Sequence, residues 1–306
     1  RSAQALRDAA CERLAVLAAQ RDDIGHALVP LADPDQWWGM RALTLGTRPV
    51  RDPDEPIALS GSGLDGLLSC PLRWFLEHEV RAETARGPAT SFGSVVHAVA
   101  DFVAKGEIPE DLDAMDAQVD RIWPELRFEA AWQSQSERRA AHMALERFLI
   151  YHVRRDHELL DTEASVGASV DVPTPGGGSD TVRLRGFIDR VERDDQGRDV
   201  AIDLKNMKRP VADSDVPEHG QLGVYQLILR EGDEPREVGG AALVQLRVAA
   251  TKDAADPKVQ FQEALPSQSP TWVEVKLGEA AHAIRTEVFP ATLGSNCRFC
   301  AYRTSC

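Results

Sequence analysis

The sequence predicts an α/β fold in which one mixed sheet is flanked by helices. The first part of the chain spaces its apolar residues at helical intervals, and the middle alternates them as strands do. The last part returns to helix, strand and helix. The chain has 306 residues, of which 43% are hydrophobic and 27% are charged. These values are typical of globular proteins and fit one large domain or two small ones.

Helices are predicted first along the chain. Leucines and alanines recur at helical intervals over residues 2–20, which predicts an amphipathic helix. Ser60 is a good N-cap residue for a second helix, which Pro71 is expected to kink. Three more helices are predicted over residues 92–105, 111–122 and 137–157.

The segment between the first two helices, residues 33–56, is rich in proline and aspartate and contains Trp37 and Trp38. It is either a connector whose aromatic residues contact another domain or a plain loop over the core. We expect residues 1–56 to be the connector or tail of an upstream helicase domain, and residues 57–306 to be one domain. The chain begins with Arg and shows no signal-like segment, which indicates a fragment of a longer protein.

Strands are predicted next, where the period of the apolar residues changes. Three strands separated by Gly-rich or Asp-rich turns are predicted over residues 165–172, 182–191 and 200–204. Such short turns join neighbouring antiparallel strands, so the three should form a meander. A helix, a strand and a last helix are predicted over residues 217–230, 238–249 and 276–287.

The meander carries two carboxylates and a lysine. Asp189 closes one predicted strand, while Asp203 and Lys205 end its partner and should share a face, since residues two apart on a strand point the same way. Carboxylates of this kind suit Mg²⁺ or Mn²⁺, with the carbonyl of Leu204 as a further ligand. The lysine could stabilise charge on a phosphate or position an attacking water. The alternative is a solvated strand face, because D-x-K triplets are common by chance.

Three further side chains are candidates for the same site. His97 lies on a helix among valines, where a lone histidine is usually a packed core residue. Gln221 and Tyr225 are four residues apart and therefore share a helical face. Each of the three would be unremarkable by itself.

Taken together and in this order, these motifs resemble the RecB-type nucleases of the PD-(D/E)XK superfamily. The resemblance covers about residues 57–306, and it implies a restriction-endonuclease-like fold and DNA cleavage. It implies that His97, Asp189, Asp203 and the Leu204 carbonyl bind the metal and that Lys205 is the catalytic lysine. It also implies that Gln221 and Tyr225 contact DNA or brace the site. Two positions depart from the common pattern, because Ile precedes Asp189 and Asn follows Lys205.

The five cysteines form a second set of candidates. An odd number without a secretion signal favours intracellular metal chemistry over disulfides. Cys297, Cys300 and Cys306 follow a C-x2-C-x5-C spacing, and Cys70 is the distant fourth thiol. This arrangement resembles the [4Fe–4S] staple of AddB-type and AdnB-type nuclease domains, and Zn²⁺ in the same thiolates is the alternative. Cys11 is then spare and is expected to be buried.

The net charge of −14 argues against a protein that binds nucleic acid by charge alone. The composition, rich in Ala, Arg, Asp and Val, is typical of actinobacteria, so the nearest resemblance is to AdnAB-type helicase–nucleases. That resemblance implies single-stranded DNA or DNA ends as substrate, a second helicase–nuclease subunit as partner, and action in double-strand-break repair at the bacterial nucleoid in the cytoplasm. No membrane partner is expected. The alternatives are a stand-alone iron–sulfur exonuclease of the CRISPR-adaptation type and a catalytically silent DNA-end-binding module.

Overall fold

A computed structural model describes most of the chain. The described residues are 3–34, 49–82, 88–126, 128, 130–252, 254–303 and 306. Trp37 and Trp38 lie outside them. The chain divides into two compact units, Arg1–Val50 and Arg51–Cys306.

The first unit contains one long helix, α1, over Ala3–Ala19. The expected helix is present, and several of its apolar side chains are exposed within this unit. Leu6 and Val16 are 56% and 64% exposed. Cys11 on the same helix is also exposed, which contradicts its predicted burial.

The second unit contains seven further helices among its described residues. They are α2 (Gly61–Ser69), α3 (Pro71–His78), α4 (Pro88–Ala104), α5 (Leu112–Ile122), α6 (Ala131–Arg154), α7 (Gly220–Glu231) and α8 (Trp272–Thr286). Ser60 caps α2, because its Oγ accepts a hydrogen bond of 3.1 Å from the Gly63 N–H. Pro71 begins a separate helix rather than kinking a longer one, since proline is well suited to the first helical turn and has no N–H to donate.

Six strands form one mixed sheet. They are β1 (Ile57–Leu59), β2 (Glu158–Pro173), β3 (Ser179–Arg193), β4 (Asp199–Lys205), β5 (Val238–Ala249) and β6 (Pro257–Glu263). The order is β1-β3-β4-β5-β6, and β2 pairs with β3 along its other edge. Strands β2, β3 and β4 are antiparallel neighbours, which confirms the predicted meander. The pairs β1–β3 and β4–β5 are parallel, so the sheet is mixed as predicted.

Two strands were absent from the sequence prediction. Strand β1 has only three residues, too few to show a period. Strand β6 buries Gln260 and Gln262 and leaves Val259 and Phe261 about half exposed, at 49% and 47%. Its polar residues therefore point inward, which is the opposite of the usual pattern of a half-buried strand.

Helices cover both faces of the sheet. Helices α4, α5 and α6 pack on one face through a core that includes Val200, Ile202 and Leu204 of β4. Helix α7 packs on the other face, where Ala201 belongs to its core. Side chains alternate along a strand, so Asp203 and Lys205 point to the α7 face. The predicted α/β fold with helices on both sides of one mixed sheet is confirmed. No described helix is long and apolar enough to cross a membrane.

Candidate active site and metal centre

The two strand carboxylates lie opposite each other on β3 and β4. The register pairs Arg190 with Ile202, which sets Asp189 beside Asp203. The N–H of Leu204 donates a hydrogen bond of 2.6 Å to Asp189 Oδ2 and fixes that carboxylate against β4. Asp189 does not close its strand as predicted, because β3 continues to Arg193 and pairs with β4 over those last residues.

Lys205 ends β4 and points the same way as Asp203. The Lys205 Nζ lies 2.8 Å from Asp203 Oδ2. It also donates a hydrogen bond of 2.8 Å to Gln221 Oε1 on α7. Asp203 is 3% exposed, so this ammonium and this carboxylate meet at the boundary of the core. The ammonium is thereby held in one direction by two acceptors from two different elements.

Helix α7 extends this chain of polar contacts. Gln221 Nε2 donates a hydrogen bond of 2.7 Å to the Tyr225 hydroxyl, as their spacing of one helical turn allows. The Gln221 N–H, at the start of the helix, donates to Asp65 Oδ2 on α2 at 3.1 Å. Helices α2 and α7 approach closely, and a Cβ on Gly61 would lie 2.9 Å from the Gln221 Cα. Glycine at position 61 therefore permits the contact that holds Gln221 in place.

Buried glutamines hold the connection between β4 and α7. They are Gln226, Gln245, Gln260 and Gln262. Gln262 Nε2 donates to the backbone carbonyls of Val216 at 2.8 Å and His219 at 3.2 Å. Gln260 Nε2 donates to the Val211 carbonyl at 2.9 Å. These bonds fix the segment whose two ends carry Lys205 and Gln221.

His97 reaches the site from α4. Its Nδ1 lies 3.6 Å from Asp189 Oδ1, and its side chain is 27% exposed. The helix packs on the sheet through Val95, Val96 and Val99, which lie in the core. The structure therefore places His97 beside Asp189 at the edge of that core, not within it.

Sequence reasoning missed Glu163, which lies on β2 opposite Asp189. One ligand atom each from His97, Glu163 and Asp189 lie within 4.8 Å of one another. Glu163 has a φ of 49°, a left-handed conformation that is uncommon for a residue other than glycine. The pattern of β2 gave no signal for it, because the strand contains four acidic residues that all look alike in sequence: Glu158, Asp161, Glu163 and Asp171.

The site concentrates negative charge. Burial raises the pKa of Asp203 to about 6; Lys205 opposes this shift and Asp189 adds to it. Burial, and then Asp189, also raise the pKa of Glu163. Burial lowers the pKa of His97, but the hydrogen bond and charge of Asp189 outweigh it and the pKa is raised overall. A cation bound here would relieve the repulsion between these carboxylates.

Comparison with known proteins identifies the family. The profile of the PD-(D/E)XK nuclease superfamily matches residues 58–306, most of the chain. The chain belongs to this superfamily. No curated protein matches it. Among solved structures, one described as "Crystal structure of SSO0001" aligns with 83% of this chain and 88% of its own, at 13% identity and a TM-score of 0.39.

As a PD-(D/E)XK nuclease domain, the chain hydrolyses phosphodiester bonds with the help of a divalent metal ion. The residues present fit such an ion. His97, Glu163 and Asp189 offer one imidazole nitrogen and carboxylate oxygens at mutual distances that a single cation can bridge. Mg²⁺ and Mn²⁺ prefer this kind of hard donor. Among the described residues, no other group of three or more histidine, cysteine or acidic side chains brings its ligand atoms within 4.8 Å of one another.

The predicted cysteine ligands lie on two parts of this nuclease domain. Cys70 precedes α3, and Cys297, Cys300 and Cys306 lie in or beyond a short 3-10 turn over Ser295–Phe299. The two parts meet. The Leu72 N–H donates to the Pro290 carbonyl at 3.2 Å, and the rings of Phe75 and Phe289 stack at 4.8 Å. The hydrogen bond that Arg73 on α3 donates to Glu77 raises the pKa of Arg73, and Cys300 adds a smaller contribution from across the contact.

Proposed function

We propose that this domain cleaves single-stranded DNA with Mg²⁺ or Mn²⁺ as the nuclease module of a helicase–nuclease that resects double-strand breaks. The observation that supports this proposal is the convergence of Asp189, Asp203 and Lys205 at the end of β4. Lys205 is held there by Gln221, which Tyr225 holds in turn. Charged groups buried at the end of an interior strand are costly to stability, so their presence there favours a catalytic role.

Each residue has a definite task in this proposal. Asp189 and Asp203 would hold the metal ion with His97 and the carbonyl of Leu204, and the ion would supply Lewis acidity and a nucleophilic water. Lys205 donates a hydrogen bond to a non-bridging phosphate oxygen, where negative charge develops. Gln221 fixes the direction of that ammonium, and the Tyr225 hydroxyl fixes Gln221. Burial raises the pKa of Tyr225, so this hydroxyl keeps its proton at neutral pH.

The proposal includes an iron–sulfur staple of the AddB or AdnB type. Cys70, Cys297, Cys300 and Cys306 would bind one [4Fe–4S] cluster and tie the end of the domain to α3. The contact of Phe289 with Phe75 supports this staple. Phe289 begins the segment that carries Cys297 and Cys300, and Phe75 lies on α3, the helix that Cys70 precedes. Thiolates of such a cluster bind different iron atoms, so they need not approach each other as closely as ligands of one ion. Zn²⁺ in the same thiolates is the alternative, which metal analysis distinguishes.

The helicase context concerns how DNA reaches the site. A chain with a net charge of −14 attracts DNA poorly. A helicase motor that delivers single-stranded DNA to the site would overcome this weak attraction. Short basic clusters lie at Arg138-Arg139, Arg154-Arg155 and Lys205/Lys208/Arg209. In the first two, one arginine is paired: Arg138 with Asp116 and Asp120, and Arg154 with Asp256. Lys208, three residues after Lys205, is 70% exposed although it also pairs with an acidic side chain. The parent protein would act with a second helicase–nuclease subunit in the bacterial cytoplasm.

The decisive experiment is cleavage by Asp203→Ala protein. We expect degradation of end-labelled single-stranded DNA with Mg²⁺ or Mn²⁺ to fall more than about a hundredfold, because a lost ligand removes the ion. The protein should stay folded, since removing a buried carboxylate of raised pKa relieves repulsion. Asp195→Ala, in an exposed turn, is the matched control and should cleave at the parent rate.

Cleavage by Asp203→Ala protein at the parent rate would contradict the site. If the parent protein binds DNA ends but cuts nothing with either metal ion, the silent end-binding module is correct instead. The sequence upstream of Arg1 separates the two nuclease alternatives: a helicase motor there supports resection, and its absence in the parent gene supports the stand-alone exonuclease.

A further inference from the structure

The first half of β3 presents two arginines and a phenylalanine on one face of the sheet. Residues two apart on a strand point the same way, so Arg183, Arg185 and Phe187 share a face. The residues between them point to α7, since a Cβ on Gly186 would lie 3.5 Å from Cε1 of the Tyr225 ring. The row of Arg183, Arg185 and Phe187 therefore lies on the face of the sheet that is turned away from α7.

This face is exposed in the part of the chain that the structure describes. Phe187 is 62% exposed, and Arg185 is exposed as well. The register of β2 with β3 sets three small, exposed residues beside Phe187, Arg185 and Arg183: in that order, Ser165, Gly167 and Ser169. A Cβ on Gly167 would lie 3.9 Å from Arg185 Cγ, so the two residues are on the same side of the sheet. The row is thus accessible to a long ligand across a surface of small side chains.

The two arginines carry positive charge that no acidic side chain neutralises. Within the described residues, neither Arg183 nor Arg185 forms an ion pair or a side-chain hydrogen bond. Asp171, which is diagonal to Arg183 in the register, instead accepts a hydrogen bond of 2.6 Å from Thr181. In a chain with a net charge of −14, this row is a local positive surface. It favours an anionic partner.

The combination of side chains fits a single strand of nucleic acid. Alternate residues of a β-strand are about 6.8 Å apart, a spacing that successive nucleotides of an extended strand can follow. Aromatic rings on exposed sheets stack on unpaired bases, and arginines bind the phosphates of the same strand. A duplex offers no unstacked base to Phe187, and a small anion has no use for the ring.

The row leads to the candidate metal site. Asp189 follows Phe187 by two residues of β3 and lines a cavity there with His97. Strand geometry puts Arg183 about 20 Å from Asp189 at the other end of the row. A strand of DNA that lies along the row would therefore present its next phosphate at this site.

We propose that the exposed face of β3 formed by Arg183, Arg185 and Phe187 binds single-stranded DNA and guides it into the candidate active site. This inference rests on the proposed nuclease function, for which it names the binding surface. Arg183 and Arg185 contact successive phosphates, and the Phe187 ring stacks on the base nearest to the site. The surface gives an acidic chain a local hold on the strand.

Binding of fluorescein-labelled oligothymidylate in EDTA tests this surface in the absence of cleavage. Fluorescence anisotropy should show that Phe187→Ala weakens binding about tenfold, because the stacking of one base is lost. Arg185→Ala should weaken binding about as much. It should also reduce the slope of log affinity against log salt concentration by about 0.7, because one phosphate contact is lost. Phe187→Ala should leave that slope unchanged.

Exposed side chains elsewhere provide matched controls. Arg139→Ala on α6 removes the same charge, and Phe261→Ala on β6 removes the same ring, and both proteins should bind with parent affinity. Phe187→Trp keeps a stacking ring and should bind at least as tightly as the parent. An abasic strand of the same length keeps the phosphates and lacks the bases, so the parent and Phe187→Ala proteins should bind it equally.

Three results would overturn the proposal. The first is parent affinity for the single strand in both Phe187→Ala and Arg185→Ala protein. The second is a salt dependence that Arg185→Ala does not change. The third is a parent protein that binds a blunt duplex as tightly as the single strand.

Failure of this inference differs from failure of the proposed function. If Asp203→Ala abolishes cleavage while Phe187→Ala and Arg185→Ala bind DNA as the parent does, the nuclease assignment stands and the DNA follows another path. If the row binds single strands as expected but the parent protein cleaves none with Mg²⁺ or Mn²⁺, the surface stands and the nuclease activity does not.

Discussion

The carboxylate site and the cysteine segment, residues 289–303, are held by very different amounts of structure. The site draws its side chains from three strands and two helices, and its central Asp203 is 3% exposed. The cysteine segment has one short 3-10 turn, and its Leu293 and Phe299 are 88% and 83% exposed. The first region adjoins the core, and the second lies on the surface.

A few contacts connect the cysteine segment to the rest of the domain. Phe289 stacks between Phe75 and Trp74, with ring centroids 4.8 and 5.9 Å away. The Leu72 N–H donates to the Pro290 carbonyl, and the Tyr302 hydroxyl donates to the Ala82 carbonyl at 2.7 Å. Beyond Phe289 the segment contributes little to either side of the sheet, so burial alone supplies little of the free energy that orders it.

Under the proposed function, metal would serve the two regions in different ways. The sheet and α7 already position Asp189, Asp203 and Lys205 through hydrogen bonds, so a metal ion there is needed for chemistry and not for folding. The cysteine segment lacks such support, and a cross-link to Cys70 would supply it. Loss of metal should therefore affect activity at the first region and stability at the second.

Replacement of one cysteine is the strongest test of this comparison. In the chain-entropy picture, a cross-link that closes more than 100 residues stabilises the folded state by about 5 kcal/mol. This is a large part of the typical stability of about 5–15 kcal/mol, so Cys300→Ala should lower the melting temperature by about 10 °C or more. Bound iron, measured by elemental analysis of anaerobically purified protein, should fall from about four atoms per chain to near zero.

Cys11→Ala is the matched control, because Cys11 is exposed on α1 and outside the proposed cluster. It should retain the parent's iron and melting temperature. If the parent protein contains one zinc atom and no iron, the staple is a zinc site and not an iron–sulfur cluster. Two results would contradict the proposal that metal stabilises the cysteine segment. One is a parent protein that contains neither metal, and the other is a Cys300→Ala protein as stable as the parent.

The glutamine network tests the other side of the comparison, namely that the fold positions the site. Gln262→Leu removes the side-chain donor that serves the carbonyls of Val216 and His219, which then keep only their backbone partners. The loss of such a hydrogen bond costs about 0.5–1.5 kcal/mol. The end of the β4–α7 connection should shift, and cleavage should fall about tenfold because Gln221 no longer meets Lys205 in its parent geometry.

Binding of Mn²⁺ distinguishes positioning from general damage. Among the described residues, the hydrogen bonds of Gln262 go to Gln226 and to the backbone of residues 216–219 and not to a proposed metal ligand. Gln262→Leu protein should therefore bind Mn²⁺ with parent affinity while its cleavage is impaired. Gln196→Leu, in an exposed turn, should change neither quantity. If Gln262→Leu lowers the melting temperature but cleaves at the parent rate, the network stabilises the fold without positioning the site.

The sequence predicted the parts of the fold that follow a regular pattern. The meander of β2, β3 and β4 was predictable because short turns join strands of period two, and the shared face of Asp203 and Lys205 follows from the same period. Strand β6 was not predictable, because its buried residues are glutamines that bind the backbone of another segment. Their role depends on contacts between residues far apart in the chain.

Glu163 was hidden for a related reason. A sequence shows that a strand contains acidic residues but does not show which of them leaves the regular backbone. Only the register with β3 sets Glu163 opposite Asp189, and only the left-handed φ distinguishes it from its neighbours. The exposure of α1 was equally invisible, since helical spacing of leucines predicts an apolar face but not what covers it.

Two tyrosines provide the finest test of the comparison, with the smallest expected effects. Tyr302→Phe removes one hydrogen bond to the Ala82 carbonyl, worth about 1 kcal/mol, and should lower the melting temperature by about 2–4 °C. Cleavage should stay within about twofold of the parent, because the cysteine segment takes no part in hydrolysis.

Tyr225→Phe removes the acceptor that holds Gln221, so it should reduce cleavage severalfold and change the melting temperature less. If the two variants exchange these effects, so that Tyr302→Phe slows cleavage and Tyr225→Phe mainly destabilises, then the cysteine segment contributes to the site and the division between the two regions is wrong.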